Sequence, residues 1–72
     1  MKVGDLIEVR GGYEGIVLAR EMMHPGHPES TVRNLVVHFR HDCKPACSWM
    51  TAEGRKVSIF AVDKVLSASK KR

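Results

Sequence analysis

The chain has 72 residues, a formal net charge of +4 and 43% hydrophobic residues. That length makes one domain near the lower limit for independent folding, and that hydrophobic content argues against wholesale disorder. No apolar run is long enough to span a membrane or to serve as a signal peptide, so a cytoplasmic protein with its two cysteines as thiols is expected. Lys70, Lys71 and Arg72 supply three of the positive charges; residues 1–69 carry nine basic and eight acidic side chains. A nearly neutral body with a short basic tail gives little footprint for a polyanion.

The first element reads as a hairpin. Val3, Ile7 and Val9 alternate with Leu6, Glu8 and Arg10, and Asp5 interrupts the entry. That is the period of a half-buried strand. Gly11 and Gly12 supply the positive φ that a tight turn demands. A phosphate-cradling loop would need a helix start behind those glycines, and a β-rich run follows instead. Gly15 opens that run, where a glycine marks a bulge or a close backbone approach. The second strand is expected over residues 14–23, with Val17 and Ala19 on one face and Ile16, Leu18 and Met22 on the other. A strand apolar on both faces predicts a strongly bent strand shared by two sheets, as small barrels require.

Two prolines and a glycine make residues 24–31 a loop. Residues 35–40 form the third strand, with Leu35, Val37 and Phe39 facing the core and His38 and Arg40 facing out. Residues 41–54, with Asp42, Pro45, Ser48 and Gly54, are the longest irregular stretch, and long loops in small domains carry function. The fourth strand is expected over 56–61, with Val57, Ile59 and Ala61 on one face. A single helical turn over 62–65 leads into a short closing strand at 65–67. The domain is therefore 1–67, with 68–72 a flexible basic tail.

Five short strands with a helical turn before the last predict an all-β, SH3-like five-stranded small barrel. Gly4, Asp5, Ile7 and Val9, then Gly12, then Gly15 with Val17, resemble the opening of KOW- and Tudor-like small barrels. Val37 with Phe39, and residues 62–66, resemble the third and closing strands of the same folds. The whole chain resembles short single-domain barrel proteins of bacteriophages and cyanophages, with Ser48 and Trp49 standing where those proteins carry tryptophan. Phe60, Ala61, Asp63 and Val65, and more faintly Val36, His38 and Phe39, are similar to photosystem I reaction-centre subunit IV. The phage likeness implies a non-enzymatic accessory protein that binds another protein. The KOW likeness implies a nucleic-acid-binding barrel, and the photosystem likeness a structural subunit of a photosynthetic complex. Fold alone does not choose among them.

His24, His27, His41, Cys43 and Cys47 are zinc-type ligands, but the two groups flank the third strand. Eight extended residues separate them by roughly 25 Å, so no shared tetrahedral site, metal or cofactor is expected. A Cys43–Cys47 disulfide is sterically open, and a reducing compartment argues against it. Neither cysteine sits in a nucleophile signature, and so small a barrel has little room for a deep pocket, so no enzyme is expected. Tyr13, Arg40, Trp49 and Phe60 are the expected partner-binding residues, because aromatics beside arginine dominate recognition surfaces. Trp49 has a second reading, folding back to cap the barrel end, since a small domain needs the apolar burial. Open strand edges also admit a homo-oligomer. Under the nucleic-acid alternative, Arg10, Arg40, Lys44, Lys70, Lys71 and Arg72 meet phosphates.

Overall fold

Ten consecutive extended residues, Tyr13–Met22, tie the two halves of the molecule together. The computed structural model describes residues 2–22 and 32–67. Its strands are β1 (Leu6–Val9), β2 (Tyr13–Met22), β3 (Val32–Phe39), β4 (Ser48–Thr51), β5 (Gly54–Ser58) and β6 (Val62–Ser67). They form one sheet in the order β4-β5-β3-β2-β1-β6, every neighbouring pair antiparallel. The fold is all-β, and the sheet is rolled but not closed, with β4 and β6 as its edges. Among the described residues no helix is long and apolar enough to cross a membrane.

The rolling has a local cause. Gly15 pairs with Ile7 on one side and with Phe39 on the other. A Cβ built there would lie 2.4 Å from Val37 Cγ1, 2.9 Å from the His38 carbonyl oxygen and 3.1 Å from Phe39 Cδ1. Only glycine lets β2 come this close to β3. Further along, a register shift between Val17 and Ala19 inserts an extra residue against β3. Such a bulge bends the strand and re-aims the side chains beyond it. Val17 is therefore fully buried, while Ala19, expected on the same face, is exposed. The bent second strand is present, but it lies within one continuous sheet rather than being shared by two.

The core is Ile7, Val9, Val17, Leu35, Val37, Phe39 and Val57, the inward positions of four strands. Val3 does not join it: Gly4, at φ 94°, turns the chain before β1, and the Lys2 N–H donates to Asp5 Oδ2 at 2.8 Å. The long irregular stretch of the sequence is shorter than expected. A 3-10 turn at Arg40–Asp42 follows β3, and Ser48–Thr51 then forms β4, a sixth strand that pairs with β5. Trp49 lies on that edge strand and is 42% exposed, so it does not cap the core. Pro45 is fully buried, and Cys43 and Cys47 pack against the core cluster. Three small side chains at alternate positions do the covering that one large one was expected to do.

The helical turn is also displaced. It lies at Ile59–Ala61 rather than 62–65. The Ser58 hydroxyl accepts from the Phe60 N–H at 3.3 Å, and the Val62 N–H bonds back to Ile59 O. Val62 then pairs with Val9, which makes 62–67 one strand. Residues 59–61 thus leave the expected fourth strand, although Ala61 stays buried and Ile59 still packs on the core.

Gly15→Ala should cost about 1–3 kcal/mol, the usual penalty of overpacking a tight site; an unchanged thermal melt would contradict the close approach. Val37→Asp should unfold the domain, because an unpaired carboxylate would be buried in a small core. His38→Asp, on the exposed face one residue on, should leave it folded. Equal losses in circular-dichroism melts would mean that the β3 phase is wrong.

Candidate functional site

The site arises where two strands part. β5 pairs with β3 only through Asn34↔Ser58, Leu35↔Val57 and Val36↔Lys56. Beyond Val36, β3 continues to Phe39, while the β4–β5 hairpin closes with Thr51 Oγ1 donating to Gly54 O at 2.7 Å. The gap is an open cleft of about 500 Å³. Leu18, His38, Asp42, Lys44, Met50 and Arg55 are among the residues that line it. Leu18 and Met50 are 52% and 65% exposed, so the cleft has apolar walls available to a partner.

Backbone geometry sets its charged rim. His41 and Asp42 both have positive φ, 59° and 52°. Such non-glycine conformations cost of order 1–3 kcal/mol each and concentrate at sites. Here they turn the chain out of β3 so that Asp42 and Lys44 stand on the cleft. Across it, Arg55 Nη1 donates to Ser48 Oγ at 2.8 Å, and that hydroxyl donates to Pro45 O at 2.6 Å. The guanidinium is thus oriented by a neutral partner.

A second cleft of about 400 Å³ shares Leu18 and is lined also by Val36, Glu21, Glu53 and Lys56. Lys56 is 9% exposed, and a charge so covered needs compensation. It receives it: Nζ lies 2.5 Å from Glu21 Oε2 and 3.4 Å from Glu53 Oε1. Asn34 Nδ2 donates to Glu21 Oε1 at 2.5 Å. Its hydrogen bond to Lys56, then that from Asn34, hold the Glu21 carboxyl below its ordinary 4.5. The same bond, donated by Lys56 to Glu21, holds the Lys56 ammonium above its ordinary 10.5, against the opposing effect of burial.

The residues expected to bind a partner do not form one surface. Tyr13 stands at the β1–β2 turn opposite Val9, with its ring against Gly11. Arg10 donates its N–H to Ala61 O at 2.9 Å, which ties that turn to the segment carrying Phe60, 87% exposed. Arg40 is held by Glu14, 2.9 Å away. Trp49 is elsewhere, on the edge strand opposite Lys56. Of the candidate phosphate contacts, Lys44 lies on the main cleft, Arg10 and Arg40 lie near the turn, and Lys70, Lys71 and Arg72 fall outside the described residues. His24 and His27 also fall outside them. Cys43 and Cys47 are free thiols turned to the core, while His41 is exposed. Among the described residues no three His, Cys, Asp or Glu side chains are grouped to hold a metal ion. Leu18 and Met50 were not candidates from the sequence. The turn signal of Thr51, Ala52, Glu53 and Gly54 after an apolar pair is what marks this hairpin.

No protein-family model, curated protein or solved structure matches the chain.

The Glu21–Lys56 pair sets a pH window. Glu21 has a depressed folded pKa, so its contribution is full above 4.5 and is lost as pH falls through the folded value. Lys56 has a raised folded pKa, so its contribution is full below 10.5 and is lost as pH rises through the folded value. The melting temperature of Glu21→Gln should therefore fall less steeply than wild type in acid. Parallel acid limbs in the two proteins would show that the pair carries no linked stability.

Proposed function

We propose that the chain is a non-enzymatic binding module, a cytoplasmic accessory protein of the kind the phage barrels represent, built on an SH3-like small barrel and binding another protein. The strand plan supports the barrel reading. β1, β2, β3 and β5 run as an antiparallel series, and β6 returns to β1 after a 3-10 turn. β4 is the addition to that plan.

The observation that carries the function is the cleft between β3 and the β4–β5 hairpin, which presents exposed Leu18 and Met50 beside an edge strand carrying a half-exposed Trp49. Exposed methionine and leucine in a concave cleft, beside an edge strand with an exposed tryptophan, are typical of recognition sites, where a few such anchors supply most of the affinity. The nucleic-acid alternative has less support: Arg40 is occupied by Glu14, and Arg10 and Lys44 lie on different segments. Cations scattered over separate segments do not form the continuous basic stripe that a phosphate backbone needs.

Titration against a fluorescent single strand and a duplex at two salt concentrations tests this. Any binding should be weak, should correspond to about three phosphate contacts or fewer, and should vanish when Lys70, Lys71 and Arg72 are deleted. Tight binding that survives the deletion and falls by about 1–3 kcal/mol in Trp49→Ala would identify a nucleic-acid reader instead. Affinity capture with Trp49→Ala as the negative control should retain a protein partner; capture of a photosynthetic complex would favour the structural-subunit alternative.

A further inference from the structure

The charges of the described surface are treated unequally. Arg40 is paired with Glu14, Lys64 with Glu8 at 3.8 Å, and Lys56 with both Glu21 and Glu53. Lys44 and Arg55 line the main cleft, and among the described residues neither has a carboxylate within ion-pair distance. Asp42 stands on the same rim and offsets part of their charge. The exposed side chains of Leu18 and Met50 line the same cleft. The cleft therefore combines cations without a close carboxylate and exposed apolar surface.

We propose that this cleft binds an extended, acidic–apolar segment of a partner protein, with apolar side chains on Leu18 and Met50 and carboxylates on Lys44 and Arg55. The proposal rests on the binding-module reading above and names the partner's chemistry. Arg55 is suited to the task. Its guanidinium is oriented by the Ser48 hydroxyl and keeps donors free for a bidentate carboxylate. Lys44 is exposed, and the flexible stem of a lysine can follow the second charge. A peptide is favoured over a nucleic acid because two cations facing one aspartate suit isolated carboxylates better than a continuous phosphate backbone. An extended chain, whose side chains alternate, can present carboxylates and apolar groups to such a cleft.

The test uses the full chain and a fluorescein-labelled octapeptide of alternating glutamate and leucine. Comparison peptides alternate lysine with leucine, or glutamate with serine. Fluorescence anisotropy should show the glutamate–leucine peptide binding at least about tenfold more tightly than either comparison peptide. Lys44→Glu and Arg55→Gln should each weaken it by about tenfold, while Lys64→Glu on β6 leaves it unchanged. Lys44 is exposed, and circular-dichroism melts confirm that each variant is folded. Amide chemical-shift changes should centre on residues 42–44 and 50–55. Equal binding of the lysine–leucine peptide, no binding up to about 1 mM, a millimolar limit on useful affinity, or indifference to Lys44→Glu and Arg55→Gln would overturn the proposal. So would a single-stranded oligonucleotide that binds the same residues more tightly than the peptide. A captured protein partner that photo-crosslinks to β6 and not to the cleft would leave the binding-module reading standing and refute this one.

Discussion

The structure depends on the closeness with which β2 passes β3 at Gly15. With Val37 Cγ1 only 2.4 Å from where a Cβ would sit, the crossing leaves no room for a side chain. This approach lets one long strand serve β1 with its first residues and β3 from Gly15 to Met22. The bulge after Val17 completes the bend. Without these two local features β2 would stay straight, and a flat sheet would leave Ile7 and Val9 without the facing layer of Leu35, Val37 and Val57. A small domain has little stability in reserve, so the layer that the bend brings together is essential to folding.

The same bend creates the cleft. β3 is paired to its end with β2, but with β5 only up to Val36, so the hairpin diverges from it. The segment leaving β3 then has to cover the core and still reach β4. It does so with Cys43, Pro45 and Cys47 turned inward and with two consecutive positive-φ residues, His41 and Asp42, at its start. Covering the core with small residues leaves Trp49 and Met50 outward on the edge strand. Exposed apolar surface at an edge is a liability unless a partner covers it, which joins the packing argument to the functional one.

Electrostatics divide the surface in a related way. Where a cation is covered, as at Lys56, carboxylates surround it, because a covered charge without partners would destabilise the fold. Where cations stand at the cleft, no carboxylate closes on them. Among the described residues, Arg40, Lys56 and Lys64 are thus held by carboxylates, while Lys44 and Arg55 stand on the cleft without one.

What the sequence by itself determined is the class and phase of most strands. Alternation placed Ile7 and Val9, and Leu35, Val37 and Phe39, in the core, because period two is a local property that any sheet pairing preserves. Gly15 was legible as a close approach for a similar reason: glycine inside an apolar run has few other uses. Tertiary structure decided what depends on pairing partners. It converted 62–65 from a turn to strand by pairing Val62 with Val9, and it drew Ser48–Thr51 out of an apparent loop by pairing it with β5. It turned Trp49 outward once Cys43, Pro45 and Cys47 had filled the space above the core. It also assembled Leu18, Lys44, Met50 and Arg55, residues from four separate segments, into one cleft. No local pattern encodes that grouping, because it follows from where β3 and β5 cease to pair, and that is set by the bend in β2.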